Sequence, residues 1–321
     1  MSPGYPVPGI QEAAVKHTIV AYGEALWDLL PTGPVLGGAP FNFAYRVNSL
    51  GNRGVIITRL GKDDNGKEAH SRMKTLGMET DFIQWDQVHP TGTVEITLGK
   101  NNEPDYFIVP GVAYDFIEPE EQLSTLVSKA DCLCFGTLIQ RTAVSRETLG
   151  SLIDVFQGTY ILLDINLRKQ CFTKETVTTS IEYADILKLN ETEIIDVAGM
   201  YGIEHSSIPF SARALLKKTG LALIVVTLGE KGAYAVSRDG EGVYAPGYKI
   251  ELVDPCGSGD AFTAAFLTSI LKGEELSTAL QRGNALGALV AAQKGATQPV
   301  DDRQIASFLD SRPQEMRAEG F

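Results

Sequence analysis

The chain has 321 residues, 44% of them hydrophobic and 21% charged, with a formal net charge of −12 at pH 7. That length suits one large α/β domain or two ordinary ones, and strong acidity without a basic cluster excludes a nucleic-acid groove. The four cysteines contain no C-x-x-C pair and the four histidines no metal-ligand spacing, which excludes a disulfide framework and a zinc site. No apolar run reaches the ~18 residues of a membrane helix, so no membrane partner is expected and a reducing cytoplasm is the expected compartment.

Residues 1–16, with three prolines and two glycines, read as a flexible leader. Thr18 to Tyr22 reads as a buried strand ending at Gly23-Glu24. Trp27 to Leu30 and a proline-glycine stretch lead to Gly37-Gly38-Ala39-Pro40, where helical spacing begins (Phe41, Ala44, Tyr45, Leu50) and runs to Gly51. Val55 to Ile57 is the next strand and Asp64 to Leu76 the next helix, closed by Gly77. From Thr80 to Ala113 the texture changes to short alternating runs (81–85, 93–98, 106–109) separated by turn residues such as Asn101-Asn102. Alternation of that kind indicates antiparallel strands open to water on one side. A β lid made of 24–36 and 80–113 is therefore expected on an α/β core of 17–23, 37–79 and 114–321; an ordinary edge of the main sheet is the alternative for this segment.

Beyond Asp115 strands at 131–135, 160–163, 186–189 and 221–226 alternate with helices near 142–156, 173–184, 190–199 and 206–219. This rhythm predicts a mostly parallel central sheet with helices on both faces, whose ligands bind beyond the carboxyl ends of the strands. The tail from Arg303 to Phe321 reads as an amphipathic helix followed by fraying.

Five stretches fall just after a strand or open a helix. In Asp254-Pro255-Cys256-Gly257-Ser258-Gly259-Asp260, a Gly-Ser-Gly turn enters a helix-forming run. Such a turn is either a plain capped helix start or an anion site built from backbone N–H groups; an acid at its end would repel an anion unless it does chemistry there. Gly37-Gly38-Ala39-Pro40-Phe41-Asn42 is either a proline-led helix entry or a place where a small polar ligand lies against backbone, with Asn42 as donor and acceptor. Asp164, Asn166 and Arg168 alternate, and in an extended segment all three project to one side, as a polar pocket or as a solvated loop. Asn190 and Glu193 form a capping-box pattern whose oxygens also suit a hydrated Mg²⁺. Thr227-Leu228-Gly229-Glu230-Lys231-Gly232 is a hairpin turn or a nucleotide-facing strand end. Walker-type, Rossmann, protein-kinase and nucleophile-elbow motifs are all absent from the sequence.

Together and in this order, the motifs resemble those of the ribokinase, or PfkB, family of sugar kinases. Gly37-Gly38-Ala39-Pro40-x-Asn42 resembles its N-terminal sugar signature and Asp254 to Asp260 its C-terminal signature; Gly23-Glu24-Ala25-Leu26-Trp27-Asp28 and Asp164-x-Asn166-x-Arg168 are most similar to the fructokinase branch. The resemblance implies a ribokinase-like fold and ATP-dependent phosphorylation of a neutral sugar, fructose first, at a primary hydroxyl. It implies Asp260 as general base, the N–H groups of Gly257, Ser258 and Gly259 as anion hole, and Arg168 facing the sugar or its incoming phosphate. Asp28, Gly37, Gly38, Asn42, Asp164 and Asn166 would bind sugar, and Thr227, Gly229, Gly232 and Asn284 would line the ATP site. Asn190 and Glu193 would organise Mg²⁺ through water, with a monovalent cation such as K⁺ near Asp254 and the Gly295 loop. A homodimer paired through its lids is also implied.

The sequence departs from the family at Pro255, where threonine is usual, at Ile165, where fructokinases commonly have proline, and at Val109-Pro110-Gly111, where many relatives have Tyr-Arg-Gly. Loss of that arginine argues against an acidic sugar such as 2-keto-3-deoxygluconate and loosens the fructose assignment. The rival readings are another sugar, a nucleoside held by Phe41, Phe107 and Trp27, or a non-catalytic sugar-binding relative.

Overall fold

The computed structural model describes residues 16–31, 33–98 and 104–321; the expected leader, except for Lys16, and the Asn101-Asn102 turn lie outside them. The chain opens with β1 (Thr18–Tyr22), β2 (Leu26–Leu30), β3 (Gly33–Gly37), α1 (Ala39–Ser49), β4 (Arg53–Gly61), α2 (Asp64–Thr75), β5 (Ile83–Asp86), β6 (Gly92–Leu98) and β7 (Pro104–Ile108). The βα rhythm then follows with α3 (Glu121–Val127), β8 (Cys132–Phe135), α4 (Ala143–Val155), β9 (Tyr160–Asp164), α5 (Lys174–Tyr183), β10 (Ile186–Asn190), α6 (Glu191–Met200), α7 (Ile208–Lys218) and β11 (Leu223–Thr227). The last part holds β12 (Ala233–Ser237), β13 (Val243–Ala245), β14 (Gly247–Tyr248), α8 (Ser258–Leu271), α9 (Leu276–Ala291), α10 (Asp302–Asp310) and β15 (Glu315–Met316).

Nine strands form one sheet in the order β13-β12-β11-β10-β9-β8-β1-β4-β5, parallel from β11 to β5. Side-chain alternation divides each strand between two cores. Val20, Tyr22, Leu133 and Leu187 face one cluster with the helices α3 to α7, whereas Ile19, Ala21, Cys134 and Ile186 face the other with α1, α8 and α9. The strand order reverses between β1 and β8, which opens a crevice at their carboxyl ends.

A separate four-stranded sheet has the order β3-β2-β6-β7. Two expectations are corrected here. Segment 81–85, read with the lid strands, contributes β5, which pairs in parallel with β4 at the edge of the large sheet. It stays there because Arg59 of β4 reaches the buried Asp86 at 2.9 Å and Gln84 exchanges hydrogen bonds with the backbone of Glu118. Within the small sheet β2 and β6 run parallel, since the whole of α1, β4, α2 and β5 intervenes between them, while β2–β3 and β6–β7 are antiparallel. The tail is corrected too. After α10 it does not fray: β15 pairs with β14, and Phe321 stacks on Tyr244 with ring centroids 4.6 Å apart.

The return from β7 to the core is tied by Arg141. Its guanidinium holds both oxygens of the fully buried Asp115 at 2.6 and 2.7 Å and donates to Val109 O at 2.7 Å. Arg141→Met leaves that carboxylate buried without its cation and should destabilise the protein by about 3–5 kcal/mol, read as a lowered urea midpoint with unchanged slope.

Candidate active site

The carboxyl ends of β1, β9, β10 and β11 and the N-termini of α1 and α8 converge on one crevice. Gly257 starts α8 in the left-handed region (φ 74°), where a Cβ would also strike Ala296, so only glycine fits the turn. Among the described residues the backbone N–H groups of Gly257, Gly259 and Asp260 have no partner, and helix geometry accounts for the last two. Ser258, expected in the same set, instead donates its N–H to Pro255 O at 3.2 Å and its hydroxyl to the same oxygen at 2.8 Å. The three free donors and the helix dipole favour negative charge at this point.

Asp260 stands in the first turn of α8 and accepts a 2.8 Å hydrogen bond from Asn42 Nδ2 of α1. Burial, with the neighbouring Asp164 carboxylate adding to it, raises its pKa to about 6; Asn42, Lys188 and Arg168 oppose the rise. Asn42 is 4% exposed and its Oδ1 has no partner among the described residues, so one acceptor is left beside Asp260. Helix α1 is tied to the loop beside Gly257 by the fully buried Arg46, which donates to Gln298 O at 2.6 Å and to Ala296 O.

Glu24, at the end of β1, is 5% exposed and accepts from Ala39 N at 3.2 Å. Burial pushes it up to about 7, against the pull of backbone N–H groups and Arg168. Gly38 (φ 112°) lies against it, a Cβ there meeting Glu24 O at 2.6 Å. Asp28 is also raised by burial and lowered by Arg168, and its Oδ2 covers Gly37, whose Cβ would come within 2.6 Å. Arg168 is exposed, and its charge acts on Glu24, Asp28 and Asp260 together.

The expected one-sided row of Asp164, Asn166 and Arg168 is not observed, because Asn166 adopts a left-handed conformation (φ 42°) that breaks the extended alternation. Asp164 Oδ1 takes Lys188 Nζ at 2.9 Å and Oδ2 takes Thr263 Oγ1 at 2.8 Å. Asn166, with Glu24, Thr137 and Asp164, lines a small cavity at the β1–β8 crevice.

Asn190 and Glu193 form the expected capping box. Asn190 Oδ1 accepts from Thr192 N and Glu193 N, while Glu193 accepts from Asn190 N and Leu167 N, all at 2.8 to 2.9 Å. Thr227 to Gly232 connects antiparallel β11 and β12, so the hairpin reading of this stretch holds, at a strand end facing the same crevice. Asn284 donates to Ala245 O and Pro246 O at 3.1 and 2.9 Å, holding the turn between β13 and β14. Asp254 accepts from Cys256 N and Gly295 N, each at 3.0 Å, joining two loops. Phe41 and Trp27 are 0% and 2% exposed within the core, and Trp27 Nε1 donates to Asn65 O. They are therefore not free to stack on a nucleobase, and only Phe107 is exposed.

A family model described as pfkB family carbohydrate kinase matches residues 32–303. The chain belongs to this family. It is a carbohydrate kinase. Among its relatives, fructokinase-1 of Oryza sativa subsp. japonica is 28% identical over 311 residues, covering 88% of this chain and 94% of the relative. A sugar kinase from Pyrococcus horikoshii, solved in complex with ATP, superposes with a TM-score of 0.74 at 27% identity over 92% of this chain and 99% of that one. Fructokinase from Xylella fastidiosa, solved with bound ATP, gives a TM-score of 0.80 at 21% identity over 93% and 99% of the two chains, which establishes a shared fold.

Two residues of this pfkB-family kinase's crevice escape sequence reasoning, Lys188 and Thr263, and Glu24 stands out in the sequence only as part of the Gly23 to Asp28 motif. Lys188 carried the clearest signal, a lysine inside the otherwise apolar run Ile186-Leu187-Lys188-Leu189 of a central strand.

Asp260 ionises near 3.8 in an unfolded chain and near 6 in the fold, so raising the pH through that window costs native stability, and the cost persists above it. Asp260→Asn removes the buried anion. It should melt higher than the parent at pH 8, with the difference vanishing at pH 3.5, measured by thermal denaturation across pH.

Proposed function

We propose that the protein catalyses ATP- and Mg²⁺-dependent phosphorylation of a neutral sugar, fructose first, at a primary hydroxyl, with Asp260 as general base. The observation that carries this reading is Asp260 itself: a carboxylate with a raised pKa, held by Asn42, in the same helix turn as three unpartnered N–H groups. Phosphoryl transfer needs positioning and charge neutralisation more than covalent chemistry, and this turn supplies both. Asp260 accepts the hydroxyl proton as the sugar oxygen bonds to the γ-phosphorus. The bridging P–O bond breaks, ADP leaves with the electron pair, and the N–H groups of Gly257, Gly259 and Asp260 hold the transferring oxygens. Asn42 Oδ1 and Asp28 are placed to accept from other sugar hydroxyls, and Arg168 offers charge at the crevice mouth.

Nucleotide phosphates are assigned to the crevice between this turn and the strand end at Thr227, Gly229 and Gly232, with the Asn284-held turn beyond. The donor set at Asn190 and Glu193 fits a hydrated Mg²⁺ rather than a direct one. Their oxygens already accept backbone N–H groups, which leaves second lone pairs for water, and no group of three His, Cys, Asp or Glu side chains arranged to hold a metal ion directly occurs among the described residues. When bound, the ion neutralises charge on the phosphates. Asp254 and the Gly295 loop are assigned to a monovalent cation such as K⁺.

The small sheet is assigned as a lid over the sugar. Its outer row of exposed Leu29, Glu95 and Phe107, paired across β2, β6 and β7, is assigned as the face that joins two lids in a homodimer. Leu29→Asp with Phe107→Asp should convert a dimer to a monomer in sedimentation; a parent protein that sediments as a monomer overturns this assignment.

Screening ADP release over fructose, ribose, tagatose, adenosine and 2-keto-3-deoxygluconate should give the highest kcat/KM with fructose. Asp260→Asn should lower kcat by about 10² to 10⁴-fold. The parent's rate should fall about tenfold per unit as pH drops below about 6, since only the ionised carboxylate accepts the proton. Sugar-dependent thermal stabilisation without ADP release would instead identify a non-catalytic binder, and turnover surviving intact in Asp260→Asn rules out the base.

A further inference from the structure

Lys188 lies in the middle of β10, on the same face of the strand as Asn190, with a side chain only 12% exposed. Its ammonium spends one donor on Asp164 Oδ1 at 2.9 Å and makes no other hydrogen bond among the described residues. Nζ also lies 3.5 Å from where a Cβ would sit on Gly259, directly against the turn whose N–H groups are free. Three carboxylates face it, Asp164, Asp260 and Glu193, and among the described residues the other cations acting on Asp260 are Arg46 and the exposed Arg168. A phosphoryl group entering beside these carboxylates would be repelled unless a cation stood at the turn itself.

Asp164 is tied to other parts of the fold through both oxygens. One oxygen holds Lys188; the other accepts from Thr263, whose hydroxyl also donates to Gly259 O at 2.9 Å. The chain Lys188–Asp164–Thr263–Gly259 therefore locks an ammonium to the first turn of α8. A buried ion pair without a task is often replaceable by apolar residues at no cost; this one places two unused N–H donors beside an anion site.

We propose that Lys188 is a catalytic residue that contacts the transferring phosphoryl group, and that Asp164 and Thr263 are the positioning residues that hold it there. This inference rests on the phosphotransfer reading above. In the step already written, the proton goes from the sugar hydroxyl to Asp260 and the electron pair leaves with ADP. Lys188 neither gives nor takes a proton: its charge and two N–H groups bind the equatorial oxygens as the bond to phosphorus changes partners.

The test compares the parent, Lys188→Met, and the double variant Lys188→Met with Asp164→Asn, which removes the bonded carboxylate along with the ammonium. Each is assayed with the sugar the parent turns over, so a parent inactive on every sugar defeats the phosphotransfer reading before Lys188 is at issue. Lys188→Met should lower kcat by about 10² to 10³-fold, the loss expected for one donor to a developing anion, with sugar KM little changed. Affinity for ADP with Mg²⁺ should be nearly preserved, while affinity for ADP with Mg²⁺, sugar and fluoroaluminate, a mimic of the group in flight, should fall about as far as kcat. The double variant should regain the melting temperature lost by Lys188→Met but not the turnover. Recovery of kcat in the double variant, or equal loss of ADP and ADP–fluoroaluminate binding, would show a structural ion pair and overturn the proposal.

Discussion

The structure depends on keeping several carboxylates in one crevice where each is buried or half-buried. Asp260, Asp164, Glu24, Glu193 and Asp28 come together at the carboxyl ends of the strands with Lys188 and Arg168 as their near cations. Burial disfavours the charges of Asp260, Glu24, Glu193 and Asp28. The fold compensates with backbone N–H groups: Ala39 N for Glu24, and Leu167 N and Asn190 N for Glu193. Asp260 has only Asn42 as a direct partner, and it is left with a pKa near 6.

Topology explains how distant segments share that crevice. The strand order reverses between β1 and β8, so the loops after β1, β8 and β9 diverge to opposite sides and leave a gap there. Helix α8 plugs the gap with its N-terminus, packed along α1 and α9 in the second core. Its glycine turn meets Lys188 from below and Asn42 from the side. Arg46 then fastens α1 to the loop behind Gly257, so the helix that carries Asp260 and the helix that carries Asn42 are held in one frame.

The small sheet is bound to this frame by few but strong ties. Gly38 and Gly23 carry the chain out from β1 and back to α1, and Arg141 with Asp115 anchors the return from β7. The position where relatives have a lid arginine is Pro110, and the guanidinium of Arg141 takes the carbonyl of Val109 just before it. That cation is engaged in structural bonds, and the guanidinium that acts on Glu24, Asp28 and Asp260 is that of the exposed Arg168.

Much of this was legible in the sequence because it is local. The βα rhythm after Asp115, the helix starts at Gly38 and Gly257, and the capping box at Asn190 and Glu193 all follow from spacing and backbone preference, and the structure reproduces them. What depended on pairing across the chain was not legible. Whether 81–85 joins the small sheet or the large one is decided by Arg59 and Gln84, not by its own alternation. Asp164 reads in the sequence as a sugar ligand; that Lys188 and Thr263, far from it in sequence, each bond to one of its oxygens is visible only in the fold. The sequence by itself determined a glycine turn followed by an acid, since φ at Gly257 and the helix start are local matters. Only the tertiary structure decided that this acid is buried, tied to Asn42 and set beside an ammonium, because burial and Coulomb interaction depend on what other segments bring to the same place.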